Sequence, residues 1–143
     1  MGLTARLYVA VGLGAALGSV ARVFISMAML GLVGHGYLWG TLTVNVVGSF
    51  LIGLYATLTE PGGRLLVSPA TRQFVMAGFC GGLTTFSIFS LETLLLAEQQ
   101  RFAFAGLNVG LSIVLWLGAV WLGHRLGARV NATHQRGRPV HPA

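Results

Sequence analysis

Thr41, Asn45 and Ser49 recur every four residues within an uncharged stretch, so a helix there carries them on one face. Asn45 brings two N–H donors and a carbonyl, and the hydroxyls both donate and accept. Polar groups inside an apolar span are costly and turn toward the bundle interior or a wet path. Such a stripe either ties helices together through hydrogen bonds or offers donors to a passing ion. The mid-span position of Asn45 favours the second use; for Thr41 and Ser49 both uses stand.

A second constellation fills residues 78–92, which read Gly-Phe-Cys-Gly-Gly-Leu-Thr-Thr-Phe-Ser-Ile-Phe-Ser-Leu-Glu. Glycines followed by paired threonines favour a break in a helix. A break at membrane depth frees carbonyls and N–H groups, tolerated only where they are buried in protein or turned toward water or an ion. Freed carbonyls of residues such as Gly81 and Thr84 suit a small hard cation that prefers oxygen ligands. An unbroken helix using its glycines for close packing is the alternative. A phosphate-binding loop is excluded, because no lysine follows the glycines and no strand precedes them.

Past the break, Phe86, Phe89 and Glu92 fall at three-residue spacing, roughly on one face. An aromatic ring has a negative face and a positive edge, so ring edges along a narrow path favour an anion without a fixed charge. Packing or lipid contact is the ordinary use of such phenylalanines. Glu92 either snorkels to the interface or lines a vestibule. Arg22, the one base well inside a span, must pair, reach the interface or attract an anion at a pore mouth. Asn108 and Ser112, four apart, form a second and weaker polar stripe. The histidines lie at loops or helix ends, read as solvated, and have no zinc-ligand spacing. Cys80 is the single cysteine, reads as a small packing residue, and permits no internal disulfide.

Four apolar segments must position these groups, at about residues 6–33, 37–58, 73–97 and 102–126. Each is long enough for a bilayer core about 30 Å thick, which takes roughly 20 residues. Turn signals separate them: Gly34-His35-Gly36, Glu60-Pro61-Gly62-Gly63 and Glu98-Gln99-Gln100-Arg101. The expected architecture is all-α, with four transmembrane helices and the third broken near its middle. Residues 1–128 form one unit, and the polar, basic residues 129–143 read as a disordered tail. A signal peptide ending near Ala21 competes for the first segment, but the apolar stretch continues beyond it and three more spans follow.

Composition agrees. The 143 residues are 55% hydrophobic and 8% charged, with a mean hydropathy of +0.78. Soluble domains carry about 25% charged residues. Asp and Lys are absent and there are only three Glu, which excludes most acid–base hydrolases, carboxylate metal sites and magnesium-dependent transferases; the chain is not expected to be an enzyme. The net charge of +6 comes from arginines at the ends of apolar runs, not from a basic stripe for nucleic acid. Seven of them (Arg6, Arg64, Arg72, Arg125, Arg129, Arg136 and Arg138) fall on one side of a four-span topology, and Arg101 alone on the other. The positive-inside rule therefore places both termini in the cytoplasm. A bundle this thin cannot enclose a shielded path, so an oligomer is expected. Gly14/Gly18 and Gly12/Ala16 offer close helix contacts.

Together, three runs resemble the small fluoride-channel family called Fluc or CrcB: Gly14-Ala15-Ala16-Leu17-Gly18 leading to Arg22, Gly40-Thr41-Leu42-Thr43-Val44-Asn45 with Gly48, and the long run at 78–92. The resemblance covers roughly residues 5–126. It implies a passive, fluoride-selective channel of the cell membrane, built as a dimer of antiparallel four-helix subunits with two narrow paths along the interface. It also implies a structural sodium ion where the third helices cross, held by backbone carbonyls that map to Gly81 and Thr84. Family pore residues map to Asn45, Phe86, Phe89 and Ser112, with Arg22 and Glu92 near the vestibules. Asn108 stands where a relative has tyrosine, and Ile88 where many relatives have threonine.

The residue chemistry is compatible. Moving a bare ion into low dielectric costs on the order of 20 kcal/mol, so a path for small, strongly hydrated fluoride must replace its water with close donors. The implied role is export of fluoride that entered the cell as HF. The seven-to-one arginine split favours one fixed orientation with an oppositely oriented related subunit, a heterodimer; a homodimer remains the alternative. Against these stand a small four-helix multidrug exporter, whose membrane acid would have to be Glu92, and a structural subunit without transport. An intramembrane Ser/His hydrolase is disfavoured by the absence of Asp.

Overall fold

Inside a bilayer every backbone N–H and C=O must find a partner within the protein, so long apolar runs become helices. The computed structural model describes residues 2–34 and 37–136, with the backbone alone for Tyr37 and residues 134–136. Helix α1 spans Leu3–Val33 and α2 spans Tyr37–Leu58. The third span is composite: α3 (Pro69–Gln73), a π-helical segment (Phe74–Cys80), α4 (Gly81–Leu83), an extended pair Thr84–Thr85, and α5 (Phe86–Glu98). Helix α6 spans Phe102–Arg136. Four stretches are long and apolar enough to cross a membrane: Leu3–Val33, Leu38–Leu58, Pro69–Glu98 and Phe102–Thr133. The chain is thus an all-α, multi-pass membrane protein with its third span broken near the middle.

Turn chemistry sets the ends. Gly34 closes α1 at φ 85°, its N–H donating to Leu30 O; His35 and Gly36 lie outside the described residues. Between α2 and α3, Gly62 takes φ 81° and Gly63 N–H donates to Glu60 O at 2.8 Å. The third span starts at Pro69, ahead of the position near residue 73 expected from hydropathy. Ser68 caps it, its hydroxyl accepting from Thr71 N–H at 3.1 Å, and proline suits the first helical position.

Two helix pairs make the bundle. Helix α1 lies against the π segment and α4, and α2 lies against α6. Glycines let backbones touch. A Cβ at Gly18 would meet Phe79 O, one at Gly14 would meet Phe74 O, and one at Gly82 would meet Ala15 O. The expected Gly14/Gly18 contact is therefore made within the chain. Gly12, proposed to act with Ala16, faces open space.

The tail departs from expectation. Instead of disorder from residue 129, α6 stays helical to Arg136; residues 137–143, with Arg138 and His141, lie outside the described residues, and nothing is described of the His134 and Arg136 side chains. Asn131 explains the extension. Its Nδ2 donates to Thr57 O at 2.8 Å and its Oδ1 accepts from Arg64 N–H at 2.9 Å. The α2–α3 turn is thereby fastened to the last turns of α6. Thus Arg64, Arg72 and Arg129 sit on elements joined at one end of the bundle.

Candidate functional site

The break arises where helical hydrogen bonds lose to side-chain competitors. Thr84 and Thr85 are extended (ψ 157° and 120°). The Thr85 hydroxyl caps α5 by accepting from Ile88 N–H at 3.3 Å. Asn45 clamps the Thr85 peptide groups from across the bundle: Nδ2 donates to Thr85 O at 2.9 Å, and Oδ1 accepts from Thr85 N–H at 2.7 Å. Val44 and Leu83 beside the clamp are fully buried, so these bonds form in the driest part of the chain, where an unpaired backbone group would be most costly.

The clamp has a consequence for two carbonyls. In a continuous helix Gly81 O would accept from Thr85 N–H, and Thr84 O from Ile88 N–H. Those donors are instead held by Asn45 and by the Thr85 hydroxyl. The break therefore withdraws the helical partners of the two carbonyls that the family resemblance links to sodium. Gly81 is exposed, with open space where a Cβ would stand. Carbonyl oxygens are hard ligands of the kind that hard cations take.

Aromatic rings follow at once. Phe86 and Phe89 are neighbours, with ring centroids 5.6 Å apart, yet their surroundings differ: Phe86 is 71% exposed and Phe89 7%. Phe89 also meets Trp116 of α6 edge-on, at 4.9 Å and 72°. A cavity of about 270 Å³ opens beside the break, lined by Asn45, Gly48, Thr84, Thr85, Phe86 and Trp116 among others. Gly48 admits Thr84, whose methyl would collide with any Cβ there. Ser49 of the α2 stripe also borders this cavity.

Glu92 does not snorkel. It is buried at 8% exposure, and its Oε1 accepts from the Thr41 hydroxyl at 2.6 Å. It also borders a second cleft of about 270 Å³ with Ser26, Gly40 and Ile88. Arg22 is half-buried on α1 and pairs with no carboxylate among the described residues. On α6, Asn108 Nδ2 donates to Thr93 Oγ1 at 2.9 Å, and Ser112 is 2% exposed. Thr41 and Asn45 thus reach the third span from α2, and Asn108 reaches it from α6.

Three features escaped the residue patterns. Thr85 is the partner of Asn45 as well as the cap of α5. Trp116 follows Ser112 by four residues and extends the α6 stripe; the spacing was the available signal. His124, read as solvated, is exposed but bonded, its Nδ1 lying 2.8 Å from Thr57 Oγ1. That pairing joins α2 to α6 and has no sequence-local sign.

The class defined here is a small four-span membrane bundle organised around a side-chain-clamped break, with uncharged donors and aromatic rings beside it. Residues 9–124 match the family described as CrcB-like protein, Camphor Resistance (CrcB). The chain is 49% identical over 127 residues to the "Fluoride-specific ion channel FluC 1" of Rhodopseudomonas palustris, covering 89% of this chain and 90% of that one. It is 52% identical to the FluC of Opitutus terrae (88% and 96% covered) and 50% identical to that of Rhodospirillum rubrum (87% and 96%). The chain belongs to the CrcB/FluC family.

Proposed function

We propose that this chain is a subunit of a fluoride-selective passive channel, not an enzyme, and that it lets fluoride leave the cytoplasm down its gradient. The observation that supports this best is the Asn45–Thr85 clamp, which holds a broken span open beside Phe86, Phe89 and a cavity. Names of relatives about half identical over nearly their whole length point the same way.

The chemistry follows from what fluoride loses on entry. Its hydration must be replaced at close range by preorganised donors. After the two bonds to Thr85, Asn45 still has a second Nδ2 hydrogen. The Ser112 hydroxyl extends the donor set, whereas the single Thr41 hydrogen is committed to Glu92; the Phe86 and Phe89 ring edges contribute positive potential without a countercharge that would trap the ion. A narrow path of this kind excludes chloride by size.

A second subunit completes the path. Phe86 is largely exposed in the single chain, and only 6% of the apolar window of α1 is buried. An antiparallel dimer would cover these surfaces and bring two sets of Gly81 and Thr84 carbonyls together. Those four oxygens would hold one sodium ion, which neutralises the converging carbonyl dipoles and fixes the crossing. Both termini are assigned to the cytoplasm, because the arginine-bearing end outweighs the other. The same imbalance favours a related, oppositely oriented partner over a homodimer; a C-terminal reporter found equally on both membrane faces overturns that preference.

The decisive experiment is efflux from proteoliposomes followed with a fluoride electrode, repeated with chloride and with Phe86→Ile. Rapid fluoride loss, no chloride loss and a reduced rate in Phe86→Ile are expected. Fluoride retained in sealed vesicles, even with a companion subunit added, overturns the reading.

A further inference from the structure

Trp116 Nε1 is the one buried side-chain polar atom without a hydrogen-bond partner among the described residues. A buried donor left unpaired costs about 1–3 kcal/mol, and native proteins leave few of them, so each calls for an explanation. The location supplies one. Trp116 lies on the α6 face that carries Asn108 and Ser112, its ring meets Phe89 at 4.9 Å, and it borders the same cavity as Asn45, Thr85 and Phe86. An indole N–H donates and has no lone pair to offer, so it serves an anion or a neutral acceptor and does nothing for a cation. Nε1 is closed to solvent in the chain; an ion reaching it sheds water on that side.

We infer that the Trp116 indole N–H is an anion-coordinating donor of the conduction path, taking over from the Asn45 amide as fluoride passes Phe89. This rests on the channel reading above. Asn45 is tied to Thr85 by two bonds, whereas the Trp116 ring packs edge-on against Phe89 and its N–H is uncommitted among the described residues.

The test uses the full-length protein. A Trp39→Phe/Trp121→Phe variant leaves Trp116 as the sole indole, and its ¹⁵N-labelled Nε1–H resonance is followed during titration with sodium fluoride and, separately, sodium chloride. A saturable downfield shift with fluoride alone is expected. Trp116→Phe, which keeps a ring against Phe89 and removes only the donor, is expected to slow fluoride efflux at least tenfold. An indole signal indifferent to fluoride overturns the inference, even if Trp116→Phe fails to fold. So does one already at its downfield, hydrogen-bonded position without fluoride, which marks an acceptor on the neighbouring subunit, and so does undiminished efflux from a folded Trp116→Phe. Absence of fluoride efflux from the unsubstituted protein overturns the channel reading itself.

Discussion

The two halves of the third span are held in opposite ways. Before the break, the π segment and α4 lie backbone-to-backbone on α1, with Gly14, Gly18, Gly78 and Gly82 removing every Cβ that would intrude. After the break, α5 is held by side chains: Asn45 on Thr85, Thr41 on Glu92, and Asn108 on Thr93. The first half is an anchor fixed by close backbone packing. The second carries the phenylalanine rings and receives the polar side chains that α2 and α6 send toward it. Van der Waals contact at close range fixes position rigidly but supplies no donor; hydrogen-bonding side chains supply both.

Substitutions can break or sharpen that contrast. The largest effect is expected in the anchor. Gly18→Leu drives a side chain into Phe79 O and Leu83 N, beyond the roughly 1–3 kcal/mol typical of overpacking, so little folded protein should survive size-exclusion chromatography. Gly12→Ala, which meets open space, should leave yield and elution unchanged.

Next comes the clamp. Asn45→Ala strands the Thr85 N–H and C=O, a loss of about 2–6 kcal/mol at roughly 1–3 kcal/mol each. Thermal unfolding in detergent should fall sharply and fluoride efflux should drop at least tenfold. Thr41→Val removes the hydroxyl that Glu92 accepts from, at about 1–3 kcal/mol; a modest fall in melting temperature with slower efflux is expected. Thr85→Ala deletes the cap of α5, worth about 1 kcal/mol, and loosens the α5 start more than the anchor, so hydrogen exchange should rise at residues 86–89 and stay unchanged at 78–82. The smallest effect is expected at Asn131→Ala. It frees the α2–α3 turn from α6 at a cost of about 1 kcal/mol and should leave efflux intact, since Asn131 is remote from the break.

Much of this arrangement is legible in the residues, for identifiable reasons. Hydropathy marks the spans because lipid leaves the backbone no other partner. The glycine–threonine run marks the break, and the four-residue repeat of Thr41, Asn45 and Ser49 marks the face toward it. The start of the third span at Pro69 was less visible, because Ser68 and Pro69 act through capping and not through hydropathy. The π segment, Phe74–Cys80, has no composition that marks it; it lies along α1, with Gly78 against Val11 and Gly14. Helicity beyond residue 129 depends on Asn131 finding Thr57, 74 residues away in sequence.

Residue types and spacing alone determined that this is a four-span membrane bundle with a broken third helix, uncharged donors and a family likeness carried by contiguous motifs. Those are local properties, set by backbone hydrogen bonding and side-chain periodicity. Only the tertiary structure decided which groups satisfy one another: that Asn45 takes the Thr85 backbone, that Glu92 turns inward to Thr41, that Gly81 and Thr84 lose their helical donors, and that the Trp116 indole is left unpaired among the described residues. The partners lie 40 and 51 residues apart for the first two pairs. A donor's choice among competing acceptors is settled by how helices pack, and no window along the chain contains it.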